Sequence, residues 1–216
     1  MEIYIVRHGE TLWNREKRLQ GNADIELSDY GRWLAEESAS HMTGIHFDKV
    51  FSSPLKRAYE TACIMCPSMK DRIITDPRLK ELNFGIYEGQ TVEALNQDPN
   101  GFFRYFFDAP QCYKAPPQGE SLEHLCSRAA DFMINEIEPI RNDCERIMIV
   151  AHGAMNKALM MHVNKQYDIR HFWDGNLQRN CGVIILSCTD NGYQILEHSH
   201  LFYDLDIAKQ RKTDFQ

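Results

Sequence analysis

At 216 residues, with 43% hydrophobic and 25% charged side chains, the chain has the balance of a folded soluble protein and the length for a sizeable core. That balance excludes a disordered or fibrous chain. A formal net charge of −7 argues against a general nucleic-acid coat or a binder of anionic membranes, yet a local cationic pocket for an anionic substrate fits within it.

The opening MEIYIVRHGE carries only a short apolar run before Arg7 and His8. It reads as neither a signal peptide nor a membrane span, and no later run approaches spanning length, so a cytoplasmic location is expected. Ile3–Val6, short and apolar, predicts a buried strand. Ser28 predicts the cap of a helix running to about Met42, with Asp29 favourable in its first turn. Val50-Phe51 ends a second strand. Ser53 then predicts the cap of a helix beginning at Pro54, with Leu55, Ala58, Ala62 and Met65 on one apolar face. Cys63 and Cys66 form a CxxC in that helix. With no second ligand pair at zinc spacing, they read as packed thiols. The seven cysteines are scattered and odd in number, so no disulfide framework is expected.

From Glu81 to Pro117 the pattern breaks up around Gly85, Gly89, Pro99, Gly101, Pro110, Pro116 and Pro117. This reads as a cap excursion over about residues 83–118. Its aromatic set, Phe102, Phe103, Tyr105, Phe106 and Phe107, either packs the cap or lines an apolar substrate pocket; packing is favoured, with one or two rings facing substrate. Ser121 opens a long helix with apolar positions from Leu122 to Ile140. Ile147–Val150 is another buried strand, followed at once by His152, Gly153 and a further helix. Val183–Leu186 and Gln194–Leu196 close the sheet. Residues 1–203 form one domain in this reading, and 204–216 a polar, loosely held tail. His198 and His200 share one face of a strand, but no third metal ligand accompanies them.

Alternating strands and helices predict an α/β three-layer sandwich with a mostly parallel central sheet. Ligands of such sheets bind beyond the carboxyl ends of the strands. The first strand delivers Arg7 and His8 to that edge. The second delivers Ser52, Ser53 and, one turn into the helix, Arg57. The Ile147–Val150 strand delivers His152. Two arginines beside two histidines make a site for a dianion, because guanidinium groups bind phosphate oxygens bidentately and stay charged. Helix N-termini near Gly9 and Gly153 are expected to add N–H donors. A neutral imidazole is a nucleophile when one ring nitrogen is held as a donor, here by a carbonyl of the Arg7-His8-Gly9 turn, and the neighbouring cations oppose its protonation. A leaving alkoxide needs a proton, and the candidate donor is Glu81 in Leu79-Lys80-Glu81-Leu82-Asn83-Phe84-Gly85.

Arg7-His8-Gly9-Glu10-Thr11, continuing through Trp13 and Asn14, resembles the signature of the histidine phosphatase superfamily, the phosphoglycerate mutase-like fold. The resemblance continues in Leu19 to Asp24, in Leu27-Ser28 with Gly31, and in Ser52 to Ala58 with Thr61-Ala62. Glu81 to Gly89, Gly119-Glu120-Ser121 and Ala151-His152-Gly153 complete it, in order, from residue 3 to about 185. It implies that His8 accepts the phosphoryl group and Glu81 donates the proton, and that Arg7, Arg57 and His152 stabilise the group. It adds Asn14, Gln20 and the Gly21 backbone to the pocket. The residues alone point to neither Asn14 nor Gln20. No metal or other cofactor is implied.

The family includes glycolytic mutases, which carry an arginine pair after the counterpart of Glu81. Here that region offers only Arg104 and Lys114, and position 20 is Gln. The chain therefore resembles the broad phosphatase branch, which includes α-ribazole phosphatases. The expected partner is a small phosphorylated metabolite, with neither nucleic acid nor membrane, and the protein a monomer or homodimer. A cofactor-dependent phosphoglycerate mutase is the alternative. A non-catalytic phosphate-binding relative is a third, which the joint presence of His8, Glu81, Arg57 and His152 argues against.

Overall fold

The computed structural model describes residues 1–98, 101 and 103–215; Pro99, Asn100, Phe102 and Gln216 lie outside the described residues. The strands are β1 (Glu2–Arg7), β2 (Lys49–Ser52), β3 (Ile74–Thr75), β4 (Arg146–Ala151), β5 (Val183–Thr189) and β6 (Gly192–His200). The helices are α1 (Leu12–Arg15), α2 (Asp29–His41), α3 (Lys56–Met65), α4 (Val92–Gln97), α5 (Tyr105–Asp108), α6 (Leu122–Phe132), α7 (Gly153–Val163) and α8 (Leu205–Arg211).

The sheet order is β3-β2-β4-β1-β5-β6. The first four strands are mutually parallel, whereas β5 runs antiparallel to β1 and β6 to β5, so the sheet is mixed and parallel where the site lies. Period-2 alternation assigns the two faces. Ile3, Ile5, Phe51, Ile147 and Ile149 face a core closed by α6, α7 and the cap. Tyr4, Val6, Val50, Met148 and Val150 face the opposite core, closed by α2, α3 and α8. Because strands buried on both faces cannot show a polar stripe, they read as continuous apolar runs in the sequence.

Three local expectations are corrected. The helix after β2 begins at Lys56 rather than Pro54, and its N-cap, Leu55, has no side-chain cap. Asp24 supplies the acceptor instead, taking the Lys56 N–H at 2.7 Å. The long helix from Ser121 is α-helical only to Phe132, then widens into a π turn at Met133–Ile137 and tightens over Glu138–Ile140. Pro139 lies in that last turn, and its missing N–H and its ring cannot continue an α-helix. The segment read as a loose tail forms α8, whose Ala208 is buried and accepts the Tyr30 hydroxyl at 2.8 Å. The chain after α8 docks beside the site, where Lys212 pairs with the buried Glu10 and the Phe215 carbonyl accepts from Arg15.

Phe103 and Phe106 are 1% and 2% exposed and stack at 5.2 Å, with Phe84, Tyr113 and Trp173 against Phe106, so these rings pack the cap. Phe107 is 41% exposed. All seven cysteines are free thiols; burial pushes Cys66 up to about 12. Among the described residues no helix is long and apolar enough to cross a membrane, and no three His, Cys, Asp or Glu side chains are grouped to hold a metal ion.

Candidate active site

The carboxyl ends of β1, β2 and β4 meet at one edge, as parallel pairing requires. The register sets Arg7 opposite Ala151 and Ser52 opposite Val150. His8 and His152 each leave their strand one residue beyond this register, and their rings lie 5.1 Å apart, tilted by 58°. His8, Arg57 and His152 are 3%, 0% and 0% exposed.

His8 Nδ1 lies 2.6 Å from the Gly9 carbonyl. A carbonyl only accepts, so Nδ1 carries the proton and Nε2 keeps its lone pair. Burial and the charges of Arg57 and Arg7 hold the His8 ring well below the usual histidine range, which favours the neutral imidazole. His152 is held low in the same way, by burial and by Arg57 and His8. Its Nε2 lies 2.8 Å from Ser53 Oγ, which also accepts the Leu55 N–H at 3.3 Å. A hydroxyl that accepts from Leu55 satisfies its own hydrogen by donating to Nε2, an arrangement that favours the ring proton on Nδ1. That Nδ1 is buried with no partner among the described residues. Ser53 thus holds the His152 ring at this edge and does not cap α3.

Arg57 donates from Nη1 to the Ala23 carbonyl at 2.8 Å and from Nη2 to the Gly21 carbonyl at 2.7 Å. The Gly21 backbone therefore orients the arginine. Gly21 has φ +53°, and a Cβ there would fall 2.0 Å from Glu88 Oε1, so the turn requires glycine. Glu88 in turn accepts the Asn22 and Phe84 N–H groups at 2.7 and 3.2 Å, joining this loop to the start of the cap. Burial pulls Arg57 down to about 10, against the raising influence of Glu81, Asp24 and Glu88, and it remains a cation. Arg7 donates to the Gln178 carbonyl at 2.6 Å, while Arg7 Nε and Arg57 Nε are buried without partners among the described residues.

The structure brings Glu81 to the same edge. A Cβ built on Gly153 would lie 3.7 Å from Glu81 Oε2 and 3.8 Å from Arg7 Cζ. Glu81 Oε1 accepts the Leu82 and Met155 N–H groups at 2.9 and 3.0 Å, and Oε2 the Ala154 N–H at 3.2 Å. Two N–H groups of the first turn after Gly153 thus hold Glu81. At Gly9 no helix begins, and its N–H goes to Thr61 Oγ1 at 3.0 Å. Glycine is needed there because a Cβ would meet the Gly31 carbonyl oxygen at 2.7 Å.

Asn14 Oδ1 accepts from the Thr11 N–H and hydroxyl at 3.1 and 3.2 Å, so its Nδ2 is the group left to donate. Gln20 is 7% exposed, and its Oε1 is buried without a partner among the described residues. The segment before β5 also builds the site. Asn180 Nδ2 donates to the His8 carbonyl at 2.9 Å, and Gln178 Nε2 to the Ile5 and Gly182 carbonyls. The sequence brought Ser53 to this edge without a role toward His152, and pointed to neither Gln178 nor Asn180.

A model of the histidine phosphatase superfamily, branch 1, matches residues 3–200. The chain belongs to that superfamily. A 2,3-bisphosphoglycerate-dependent phosphoglycerate mutase of Cytophaga hutchinsonii is 35% identical over 173 residues, 78% of this chain and 81% of that protein. A phosphoserine phosphatase of Entamoeba histolytica, solved with 3-phosphoglyceric acid, is 27% identical with a TM-score of 0.79, covering 92% of this chain and 96% of that one. The α-ribazole phosphatase of Shigella flexneri shares the fold, with a TM-score of 0.82 at 20% identity, covering 95% and 99%. The histidine phosphatase superfamily comprises enzymes with phosphatase or mutase activity, and its fold accounts for the edge at which His8, Arg57 and His152 meet.

Proposed function

We propose that this protein hydrolyses a small phosphomonoester through a phosphohistidine on His8, without a metal ion. The observation that carries the reading is the 2.6 Å contact of His8 Nδ1 with the Gly9 carbonyl, which leaves a neutral, aimed Nε2 among fixed cations. The phosphoryl group in flight is largely metaphosphate-like, with charge on its equatorial oxygens. Arg7, Arg57 and the Nδ1–H of His152 donate to those oxygens, and their positions are set before substrate arrives. Asn14 Nδ2 and the Gln20 amide contact the outer oxygens, and the Gly21 and Gly153 backbones line the pocket.

In the first step His8 Nε2 forms its bond to phosphorus as the ester P–O bond breaks, and the leaving oxygen takes a proton from Glu81. In the second, Glu81 takes a proton from water, the water oxygen bonds to phosphorus, and the N–P bond returns its pair to His8. Phosphate leaves and both residues are restored.

Hydrolysis is favoured over phosphoglycerate mutation by the region after Glu81. It offers Arg104, which lies over the Tyr105 ring at 4.7 Å, and Lys114, rather than an adjacent arginine pair. The similarity to a mutase keeps mutation as the second reading. The test is a panel of phosphorylated metabolites in EDTA, with quenched samples analysed for labelled phosphate on the protein. Phosphate release with label on His8, abolished in a folded His8→Ala protein, is expected. Interconversion of 3- and 2-phosphoglycerate faster than phosphate release would overturn the phosphatase reading, and label on another side chain would overturn the nucleophile.

A further inference from the structure

Glu81 sits on irregular backbone, between a turn at Pro77–Leu79 and another at Gly85–Tyr87. Neither a strand nor a helix fixes it, yet a proton donor must meet the leaving oxygen within hydrogen-bond reach. We propose that Arg128 of α6, with Glu120, is the positioning residue that holds Glu81 to the leaving group. The inference rests on Glu81 being the proton donor.

The guanidinium of Arg128 gathers three carbonyls from four consecutive residues. Nη1 donates to the Arg78 and Lys80 oxygens, both at 2.6 Å, and Nη2 to the Glu81 oxygen at 3.0 Å. Three carbonyl dipoles converging on one point repel each other unless a cation sits among them. Extended β pairing would have pointed them to alternate sides. The remaining face of the guanidinium makes a two-point bond to Glu120, Nε to Oε1 at 2.7 Å and Nη2 to Oε2 at 2.9 Å. Arg128 and Glu120 side chains are 14% and 10% exposed. Burial pushes the Glu120 carboxyl upward, but the hydrogen bonds and charge of Arg128, with His124 and the Asn83 N–H, outweigh it and hold it below the usual carboxylate range. Glu120 thereby stays an anion and neutralises the arginine.

Glu120 also grips the far side of Glu81. Its Oε2 accepts the Asn83 N–H at 3.2 Å, and its own N–H donates to the Asn83 carbonyl at 2.8 Å. The backbone on both sides of Glu81 is thus fixed from α6 and the turn before it. The carboxyl itself is fixed from α7, through the Ala154 and Met155 N–H groups. Helices α6 and α7 pack against each other, so backbone and carboxyl share one frame. A lysine at 128 would keep the charge but lose the planar fork that reaches three carbonyls and a carboxylate together.

The test separates leaving-group protonation from general damage. kcat/KM reports transfer to His8, and a misplaced acid slows it most where the leaving oxygen is most basic. Arg128→Lys and Glu120→Gln would be assayed on p-nitrophenyl, phenyl and benzyl phosphate, with Glu81→Gln as reference and thermal melting as a check of folding. Relative to the unmodified protein, kcat/KM for benzyl phosphate should fall about 10- to 100-fold, a part of the ~10²–10⁴ a general acid supplies. The value for p-nitrophenyl phosphate, whose leaving group needs no proton, should change less than about threefold. If Arg128→Lys does not fold, Glu120→Gln carries the same expectation. Equal losses on all three esters in a folded variant, while Glu81→Gln is selective, would overturn the positioning role alone. Equal losses in Glu81→Gln itself would overturn the proton-donor reading and the inference with it.

Discussion

Ser53→Ala separates two roles for one hydroxyl. If Ser53 served as a helix cap, its loss would lower stability and leave catalysis alone. In the structure its Oγ sits 2.8 Å from His152 Nε2, with both side chains fully buried. Alanine removes the hydroxyl that favours the proton of His152 on Nδ1, the nitrogen left without a partner and proposed to meet the phosphoryl group. The buried Nε2 then lacks a partner, a loss of about 1–3 kcal/mol. At about 1.4 kcal/mol per tenfold, this corresponds to a fall of about 5- to 150-fold in kcat/KM if the whole effect falls on transition-state binding. The lower end applies where water fills the vacated space. The same loss in the resting protein would lower Tm by about 2–12 °C for a chain of this size. The assay is initial-rate hydrolysis of p-nitrophenyl phosphate beside a thermal melt. Wild-type kcat/KM in Ser53→Ala, whatever its Tm, would refute the tautomer assignment. A lowered Tm with unchanged kcat/KM would restore the capping role.

Vanadate mimics a trigonal-bipyramidal phosphoryl centre, so it should inhibit competitively at sub-millimolar concentration in EDTA; untouched activity at millimolar vanadate would count against the pocket. The pH dependence of stability follows from His8 and His152, both held well below 6.5 in the fold. Below pH 6.5 the unfolded chain binds protons that the folded one refuses, so stability falls as pH drops from there toward the folded values, and is regained as pH rises. Melts from pH 7.5 to 5 should show this slope, shallower in His8→Asn; an equal slope in the variant would remove His8 from the account.

The sheet was legible because its strands are buried on both faces. Ile3–Val6 and Ile147–Val150 show as unbroken apolar runs, and in a parallel sheet such runs carry their next residues to one edge. That was enough to bring Arg7, His8 and His152 together without any template. The C-terminal segment was misread for the opposite reason. Only Ala208 of α8 is buried, so seven residues of helix leave little apolar trace. What holds the segment is a hydrogen bond from Tyr30, 178 residues away in sequence, and the pairing of Lys212 with Glu10. Contacts so distant have no local pattern to announce them.

The site was legible in its charges and opaque in its hydrogen bonds. An arginine beside a histidine after a buried strand points to an anion, because few other partners justify two cations at a dry edge. Which donors reach the anion is a different question, decided by where each N–H already goes. The helix beginning at Gly153 looks like a ready phosphate cradle by position. In the fold, Ala154 and Met155 turn to Glu81 instead, and the N–H of Gly9 turns to Thr61. On the proposed reading the cradle is therefore made mainly of side chains, Arg7, Arg57 and His152, and these are held by backbone carbonyls and by Ser53. Side-chain donors held this way tolerate no change of length, whereas a backbone cradle would tolerate many side-chain substitutions. On that reading Arg57→Lys, conservative in charge, loses the planar fork that reaches the Gly21 and Ala23 carbonyls together, and its kcat/KM for p-nitrophenyl phosphate should fall as far as that of Arg57→Ala; a lysine variant that keeps most of the activity would refute this.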